Sequence, residues 1–361
     1  MFRYSHGGGI HSAAAELQRP VAELLDFSAS INPLGMPPTV RAAAAAALDE
    51  AIHYPEIHAE SLVAALAAYH HLDPRHFLPG NGSTPLFALF ARTLRPRRAL
   101  VVRPAFSEYQ RVLEIAGTGI DVFDLAPEQD FTLDVKQLLH QITPTTDLLL
   151  LANPGSPSGA RIDTTTILTL AQALREQALV AVDEAFIDFC PDASLLAAVA
   201  TAPNLYIFRS MTKFYAIPGL RIGYLAGPVN GISCLQKESE PWALSTVAIA
   251  AAKAALAATA YNEESLQIIP QLRAELANGL RNLGLHVYPS AANYLLLRLA
   301  EARADELATA LRQEGILLRS CSNFPPLDAH YLRVAVRTAA ENERLITALA
   351  KFFPQTPTST G

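Results

Sequence analysis

The stretch that decides the fold is "NLYIFRSMTKFYAIPGLRIGY", residues 204–224. Its first part is a nearly continuous apolar run, which is typical of a strand buried on both faces of a parallel sheet. Directly after that strand, Lys213 lies among small, hydroxyl and aromatic residues. The other four lysines fall in stretches with helical patterns, where a solvated ammonium group needs no special explanation. The position of Lys213 therefore requires a chemical reason.

Three further apolar runs have the same pattern of a buried parallel strand. They are "RALVVRP" (98–104), "DLLLLANP" (147–154) and "ALVAVDEAF" (178–186), and helical patterns separate them. This alternation predicts βαβ units, and hence an α/β fold with a mostly parallel sheet covered by helices. Ligands of such sheets bind at the carboxyl ends of the strands. The unusual polar residues lie at those ends: Arg103, Asn153, Asp183 and the segment Ser210–Lys213.

The composition argues against several classes of function. The chain has 361 residues, a net charge of −6 and no basic block, so we expect no nucleic-acid partner. Three scattered cysteines without CxxC spacing predict neither a disulfide framework nor a metal site. The N-terminus lacks an apolar signal region, and the longest apolar run, residues 246–260, is rich in alanine and contains Lys253. We therefore predict a cytoplasmic globular protein without a membrane partner.

The pattern of the sequence changes along the chain and predicts three parts. Residues 1–40 are loop-like and are expected to form an arm that packs on the smaller domain or on a second subunit. Residues 41–245 carry the βαβ pattern and form the large domain. Residues 246–361 begin with a long helical stretch and continue with short strand patterns, which predicts a smaller α+β domain.

A loop of small residues precedes the helical pattern within "LPGNGSTPLFALFARTL" (78–94). Gly82 and Ser83 come just before Pro85, which suits the first position of a helix. The free N–H groups and the dipole at such a helix start can bind a phosphate group. An ordinary capped helix behind a turn explains the same residues, and the loop lacks the spacing of an ATP or dinucleotide fingerprint.

Two residues at strand ends indicate which phosphate-bearing cofactor this loop would bind. Asp183 follows a fully apolar strand, and a carboxylate there needs a cation, such as a protonated pyridine nitrogen, unless it caps the next element. Lys213 can form a Schiff base if burial or neighbouring positive charge lowers its pKa, and Arg221 follows eight residues later. Together with the small-residue loop, these residues predict a pyridoxal phosphate site.

Ser210 and Lys213 also match the S-x-x-K motif of serine acylases. That chemistry needs an S-x-N element and a K-T-G strand later in the chain. The sequence has no K-T-G, and its S-x-N at Ser30–Asn32 precedes the S-x-x-K. We therefore reject the acylase interpretation.

The motifs "NPGSPSG", "VDEAFIDF" and "SMTKFYAIPGLRIGY", in this order and spacing, resemble those of the fold-type-I pyridoxal phosphate enzymes, the aspartate aminotransferase superfamily. The resemblance covers nearly the whole chain, and the lysine motif is highly specific. It implies a large domain with a central sheet between helices, a smaller C-terminal domain and a homodimer.

The same resemblance implies a role for each matching residue. Lys213 would hold the cofactor as a Schiff base, Asp183 would pair with ring N1, Asn153 would donate to ring O3′, and Phe106 would stack on the ring. Tyr54, in "HYPEI", matches a tyrosine that reaches the cofactor phosphate from the other subunit. The remaining phosphate-binding residues would be Gly82, Ser83, Ser210 and Arg221.

The two ends of the chain resemble a decarboxylase branch close to the histidinol-phosphate aminotransferases, through "SHGGG", "DFSASINPLG" and "LLRSCSNFPPLDAHYLRVAVRT". This implies decarboxylation of L-threonine O-3-phosphate to (R)-1-amino-2-propanol O-2-phosphate for cobalamin biosynthesis. The alternative is transamination of histidinol phosphate with 2-oxoglutarate, although Arg337 stands where the aminotransferases usually have glycine. The residues expected to bind the substrate are His6, Gly7, Ser30, Asn32, Arg319, Arg333 and Arg337.

Two departures from the decarboxylase pattern leave the substrate open. Gly9 replaces the asparagine of H-G-G-N, and Ser30 replaces an asparagine of A-N-I-N, so serine phosphate is a candidate beside threonine phosphate. The sequence does not decide which arginine holds the carboxylate and which the phosphate. For Arg337 and His6, a solvated position without any ligand explains the residue equally well.

Overall fold

The computed structural model describes residues 6–353, so the predicted arm (1–40) and smaller domain (246–361) each extend beyond it. The α-helices are α1 (Ile10–Leu17), α2 (Pro38–Ala46), α3 (Glu60–His70), α4 (Ser83–Leu94), α5 (Ser107–Ile115), α6 (Val135–Gln141), α7 (Thr164–Ala173), α8 (Val229–Lys237), α9 (Thr246–Leu256), α10 (Thr259–Asn282), α11 (Ala304–Gln313) and α12 (Ala339–Ala350). The strands are β1 (Leu25–Asp26), β2 (Phe77–Gly80), β3 (Arg98–Arg103), β4 (Gly119–Asp124), β5 (Leu148–Ala152), β6 (Leu179–Asp183), β7 (Leu205–Ser210), β8 (Gly223–Ala226), β9 (His286–Val287), β10 (Tyr294–Arg298), β11 (Ile316–Leu317), β12 (Arg319–Ser320) and β13 (Tyr331–Ala335).

The larger sheet has seven strands in the order β2-β8-β7-β6-β5-β3-β4. The strands from β7 to β4 pair in parallel, whereas β8 is antiparallel to both of its neighbours. The mostly parallel sheet predicted from the apolar runs is therefore confirmed. Because β3, β5, β6 and β7 run in one direction, Arg103, Asp183 and Ser210 lie at one edge of the sheet.

Helices cover both faces of this sheet, which explains why its central strands, such as β5, are apolar. Leu149 and Leu151 of β5 pack into a cluster with α2, α3, α7 and α9. The alternating residues Leu148 and Leu150 pack into a second cluster with α4, α5 and α8. A strand with two buried faces cannot show the apolar-polar alternation of a half-exposed one.

The C-terminal part contains a four-stranded antiparallel sheet in the order β12-β13-β10-β9. Helices α10, α11 and α12 pack on it around a separate hydrophobic cluster. The N-terminal segment joins this part of the molecule, because β1 pairs in parallel with β11 through Leu25 and Ile316. Phe27 is fully buried in the same cluster, so the segment is fixed by apolar packing as well.

The alanine-rich run that begins at Thr246 forms helix α9, which packs against α2 and α3. Ala251, Ala252 and Ala255 are fully buried there, since small side chains allow close helix packing. Within residues 6–353, no helix combines the length and the apolar character that a membrane crossing requires.

Candidate active site

A cavity of about 640 Å³ lies at the carboxyl ends of the parallel strands. Its wall combines the strand ends of the large sheet with the N-terminal segment and with two arginines of the C-terminal part. The predicted site residues that line it are His6, Gly7, Ser30, Ser83, Phe106, Asp183, Lys213, Arg221, Arg319 and Arg333. The structure therefore brings together residues from both ends and the middle of the chain.

Lys213 follows β7, and its ammonium group donates a hydrogen bond of 2.9 Å to Ser210 Oγ. Burial lowers the pKa of Lys213 to about 8, because it removes water from the charged form. The charges of Arg221 and Arg333 contribute to this lowering, and the charge of Asp183 opposes it. The site therefore contains an amine whose neutral, nucleophilic form is accessible near neutral pH.

Asp183 ends β6 at the base of the cavity. One carboxylate oxygen accepts a hydrogen bond of 2.9 Å from the backbone N–H of Ala185, and the other accepts one from the Tyr109 hydroxyl. Burial raises the pKa of Asp183, while the Tyr109 hydrogen bond and the charge of Lys213 oppose that rise. A buried carboxylate of this kind is well suited to hold a cationic ring nitrogen.

Tyr109 is a member of this site that the sequence reasoning missed. It is fully buried in the first turn of α5, and its ring packs against Phe87 and Phe106. Its place three residues after Phe106, at the helix start behind the end of β3, was the available signal. Burial and the adjacent carboxylate of Asp183 raise the pKa of Tyr109, so its hydroxyl stays a hydrogen-bond donor.

The loop before α4 forms an anion site together with Arg221. Gly82 has a φ of 87°, and a Cβ at this position would overlap the Arg221 guanidinium, so the backbone and the cation approach closely. Helix α4 begins at Ser83, which places Pro85 at its third residue and not at the first as predicted. The helix dipole, the adjacent N–H groups and Arg221 make this a phosphate-binding corner.

Arg319 and Arg333 enter the cavity from β12 and β13, where they are paired across the sheet. Arg333 donates 2.9 Å and 3.2 Å hydrogen bonds to the Ser28 carbonyl and to Ser156 Oγ. Arg319 donates to the Ser320 carbonyl and to Asn323 Oδ1. Neither guanidinium has a carboxylate partner within residues 6–353. Burial and the charge of Arg333 lower the pKa of Arg319 to about 10, as expected for two unneutralised cations.

Two predicted asparagines are bonded to the backbone and do not line the cavity. The amide of Asn153 bonds to both the carbonyl and the N–H of Ile162. The amide of Asn32 donates to the Phe214 carbonyl, and its backbone N–H donates to the Lys213 carbonyl. Asn32 thus fixes the backbone that carries Lys213. The contact of Asn153 with the cofactor ring and that of Asn32 with the substrate stay predictions.

Two other predicted residues lie away from the cavity. Arg337 pairs with Glu341 at 2.7 Å and donates to the Asp26 carbonyl, so its charge is neutralised within the chain. Tyr54 is 83% exposed and packs on Trp242. Its predicted contact requires a second subunit.

The buried amine, the carboxylate and the phosphate-binding corner fit pyridoxal phosphate, which has an aldehyde, a ring nitrogen and a phosphate. The chain belongs to the aminotransferase class I and II family, whose model matches residues 22–349. It is 38% identical to the threonine-phosphate decarboxylase of Salmonella typhimurium, over 97% of this chain and 96% of that protein. The resemblance stated from the motifs is thereby confirmed.

Two further relatives show the range of the family. The chain is 32% identical to a histidinol-phosphate aminotransferase of Nitratidesulfovibrio vulgaris, over 92% of this chain and 90% of that protein. It superposes on the crystal structure of an L-threonine-O-3-phosphate decarboxylase from Porphyromonas gingivalis with a TM-score of 0.83 and 27% identity. That superposition covers 92% of this chain and 100% of the other.

Proposed function

We propose that this chain uses pyridoxal phosphate to decarboxylate L-threonine O-3-phosphate, giving (R)-1-amino-2-propanol O-2-phosphate for cobalamin biosynthesis. The observation that carries the proposal is the pair Arg319 and Arg333, which face the same cavity as Lys213 without any carboxylate partner in residues 6–353. Two unneutralised arginines fit a substrate that has both a carboxylate and a phosphate, since guanidinium groups bind each of these in a bidentate manner.

The cofactor would be held by the residues that the motifs predicted. Asp183 would accept from the ring nitrogen, Phe106 would cover one ring face, and Asn153 would reach ring O3′. The cofactor phosphate would lie between Arg221 and the loop and helix start formed by Gly82 and Ser83, with Ser210 nearby. When bound, pyridoxal phosphate supplies an aldehyde that combines with the substrate amine and a ring that accepts the electrons of the bond broken at Cα.

The protein residues decide which bond at Cα breaks. The arginine that binds the substrate carboxylate would orient it and so would favour loss of CO₂ over loss of the Cα proton. Ser156 and the Ser28 carbonyl fix Arg333 for such a task. Lys213 lines the same cavity, where its amine would deliver a proton to Cα.

The similarity to threonine-phosphate decarboxylases supports the proposal, because it extends over almost the full length of both chains. Transamination of histidinol phosphate is the second candidate, since a relative with that name is 32% identical over 92% of the chain. The identities favour the decarboxylase, because the chain is 38% identical to the threonine-phosphate decarboxylase and 32% identical to the aminotransferase.

The deciding experiment is a paired product assay on purified protein loaded with pyridoxal phosphate. L-Threonine O-phosphate and L-serine O-phosphate are supplied separately, and then histidinol phosphate is supplied with 2-oxoglutarate. We expect CO₂ from threonine phosphate and no glutamate from the third mixture, and no CO₂ from a Lys213→Ala variant. Glutamate without CO₂ would establish the aminotransferase instead, and faster CO₂ release from serine phosphate would revise the substrate.

A homodimer completes the proposed site, as is typical of this family. Tyr54 would reach the cofactor phosphate of the partner subunit, which accounts for a tyrosine that is 83% exposed in the single chain.

A further inference from the structure

Glu108 is a carboxylate that neither the motifs nor the proposed mechanism uses. It lies in the first turn of α5, directly behind the end of β3, and its side chain is only 10% exposed. A carboxylate so far removed from water is costly unless cations or donors accompany it. Its Oε2 accepts a hydrogen bond of 2.9 Å from Arg111 on the same helix. Its Oε1 lies 3.2 Å from Nε2 of His6, which belongs to a segment more than a hundred residues earlier in the chain.

This contact determines how the His6 imidazole is placed. A carboxylate only accepts hydrogen bonds, so Nε2 donates to Glu108. In the doubly protonated ring, whose nitrogens are both donors, Nδ1–H is then the group left for an anionic ligand. The ring also packs near Phe106, with 5.6 Å between the ring centroids. His6 is therefore held on one side by Glu108 and on another by an aromatic ring.

The backbone next to His6 is fixed independently. The N–H of Gly8 donates to Ser28 Oγ at 2.8 Å, and Ser28 Oγ donates to the Asp26 carboxylate. Gly7 passes so close to the Ser28 carbonyl that a Cβ at this position would overlap it. These contacts fix the backbone beside His6, and the hydrogen bond with Glu108 orients the ring.

Glu108 itself does not line the active-site cavity, whereas His6 does, and so does Arg319. The same two residues also line a neighbouring polar cavity of about 340 Å³. A carboxylate in contact with an anionic substrate would repel it, whereas a carboxylate behind a histidine can accept one N–H of the imidazolium while the other N–H faces the substrate.

We propose that Glu108 is a positioning residue that holds His6 toward the substrate phosphate and so gives the site its preference for phosphorylated over unphosphorylated substrates. The inference rests on the proposed function, because it assumes that the substrate phosphate binds at the His6 and Arg319 end of the cavity. Glu108 acts through His6 and touches neither the substrate nor the cofactor.

The test compares Glu108→Gln with wild type and with the control variant Glu114→Gln. Glu114 is an exposed carboxylate on the same helix, and within residues 6–353 its side chain bonds only to Gln110. Glutamine keeps the shape of glutamate but removes the charge. We expect KM for L-threonine O-phosphate to rise about tenfold, the scale of a charge-assisted hydrogen bond, with kcat changed less than about twofold. Activity on unphosphorylated L-threonine should stay at the wild-type level, and Glu114→Gln should match wild type throughout.

A double variant shows whether the effect passes through His6. Once His6→Ala is present, Glu108→Gln should add no further rise in KM, because the group on which it acts is gone. Multiplying losses in the double variant would overturn the proposal, as would an equal loss of activity on phosphorylated and unphosphorylated substrate.

Phosphate binding separates this inference from the proposed function. Inorganic phosphate is titrated into the cofactor-loaded protein by calorimetry, and we expect Glu108→Gln to weaken its binding about tenfold. If threonine phosphate yields no CO₂ but this weakening is observed, the proposed function fails and the role of Glu108 stands. Unchanged phosphate binding overturns the role of Glu108, whether or not CO₂ is produced.

Discussion

Lys213 is surrounded by groups with opposite effects on its charge. The nearby Asp183 carboxylate favours the ammonium form, while burial and the cations Arg221 and Arg333 favour the neutral amine. Burial prevails, and the pKa is lowered to about 8. The amine is thus neutral above about pH 8, well below the range in which an ordinary lysine loses its proton.

The first prediction follows from the lowered pKa of Lys213. The rate at which cofactor-free protein combines with pyridoxal phosphate should rise with pH and level off above about 8, because only the neutral amine attacks an aldehyde. Stopped-flow absorbance measures this rate. A rate that still climbs toward pH 10 would contradict the burial argument, and Lys253→Gln, on an exposed position of α9, should reproduce the wild-type profile.

The second prediction concerns the hydroxyl of Tyr109. Its hydrogen bond opposes the rise that burial causes in the pKa of Asp183, so Tyr109→Phe should raise this pKa further. The carboxylate would then be ionised only at higher pH, and the variant should bind pyridoxal phosphate about tenfold more weakly at pH 6 but with a smaller loss at pH 8. Absorbance titrations at both values test this.

Tyr206→Phe serves as the control for that variant. It removes the hydroxyl of a buried tyrosine that belongs to the same hydrophobic cluster and does not line the cavity. Equal losses at both pH values, or the same loss in the control, would mean that Tyr109 has only a packing role.

At the scale of single residues, sequence patterns identified the candidate site residues better than they identified which side chains contact one another. Lys213 and Asp183 were found because a charged group at the end of an apolar strand is conspicuous. The partners of Asn153 and Arg337 were not foreseen. Glu341 lies only four residues after Arg337, so local spacing could have indicated it, whereas the contact of Asn153 with the Ile162 backbone depends on how the loop after β5 folds.

Among the elements, helix α12 shows most directly how local sequence sets a boundary. Thr338 precedes it, the Glu341 backbone N–H donates to the Thr338 hydroxyl, and the Glu341 carboxylate accepts from the Thr338 backbone. This capping box satisfies two otherwise unpaired N–H groups at the helix start.

The third prediction is that Thr338→Ala lowers the free energy of unfolding by about 1 kcal/mol, the usual effect of losing such a cap. Denaturant unfolding followed by circular dichroism measures it. Thr169→Ala is the matched control, because Thr169 lies on the exposed face within α7 and bonds only to the preceding turn. An equal loss in both variants would rule out capping as the cause.

Strands and helices were largely predictable from periodicity, and their starts less so. The apolar runs located β3, β5, β6 and β7 because burial on both faces leaves a strong signal. The position of Pro85 suggested that helix α4 starts at that residue, but it starts two residues earlier, at Ser83. Gly82 adopts a positive φ, which lets the chain turn into the helix at this point.

At the scale of the whole molecule, residues 48–54 expose several apolar side chains, which we call the apolar patch. Ile52 is 84% exposed, Leu48 is 61% exposed, and Tyr54 packs on the half-exposed Trp242. Such a patch on a monomer usually marks a contact surface. A second copy of the chain is the partner that the proposed function requires.

The fourth prediction is that Ile52→Glu converts a dimer into a monomer and weakens cofactor binding, because a charge on the patch opposes association and removes the partner's Tyr54. Sedimentation and a cofactor titration test the two effects. Ile115→Glu, at a similarly exposed but isolated apolar residue, should stay dimeric. A monomeric wild type would exclude this arrangement.

The global arrangement was the part least accessible to the sequence. The large sheet could be inferred from local runs, but the pairing of β1 with β11 could not, because two-residue strands have no periodicity. The convergence of His6 with Arg319 depends on that pairing.

The β1–β11 ladder also has a consequence for biosynthesis on the ribosome. The segment that carries His6 and Ser28 is made before the large sheet, yet its pairing partner, Ile316–Leu317, is made after it. The strands that present Lys213 and Asp183 can assemble in between, so the nascent chain acquires the proposed cofactor-binding wall before the proposed substrate-binding wall. A polypeptide released prematurely would thus retain a reactive lysine without the residues that restrict what it reacts with.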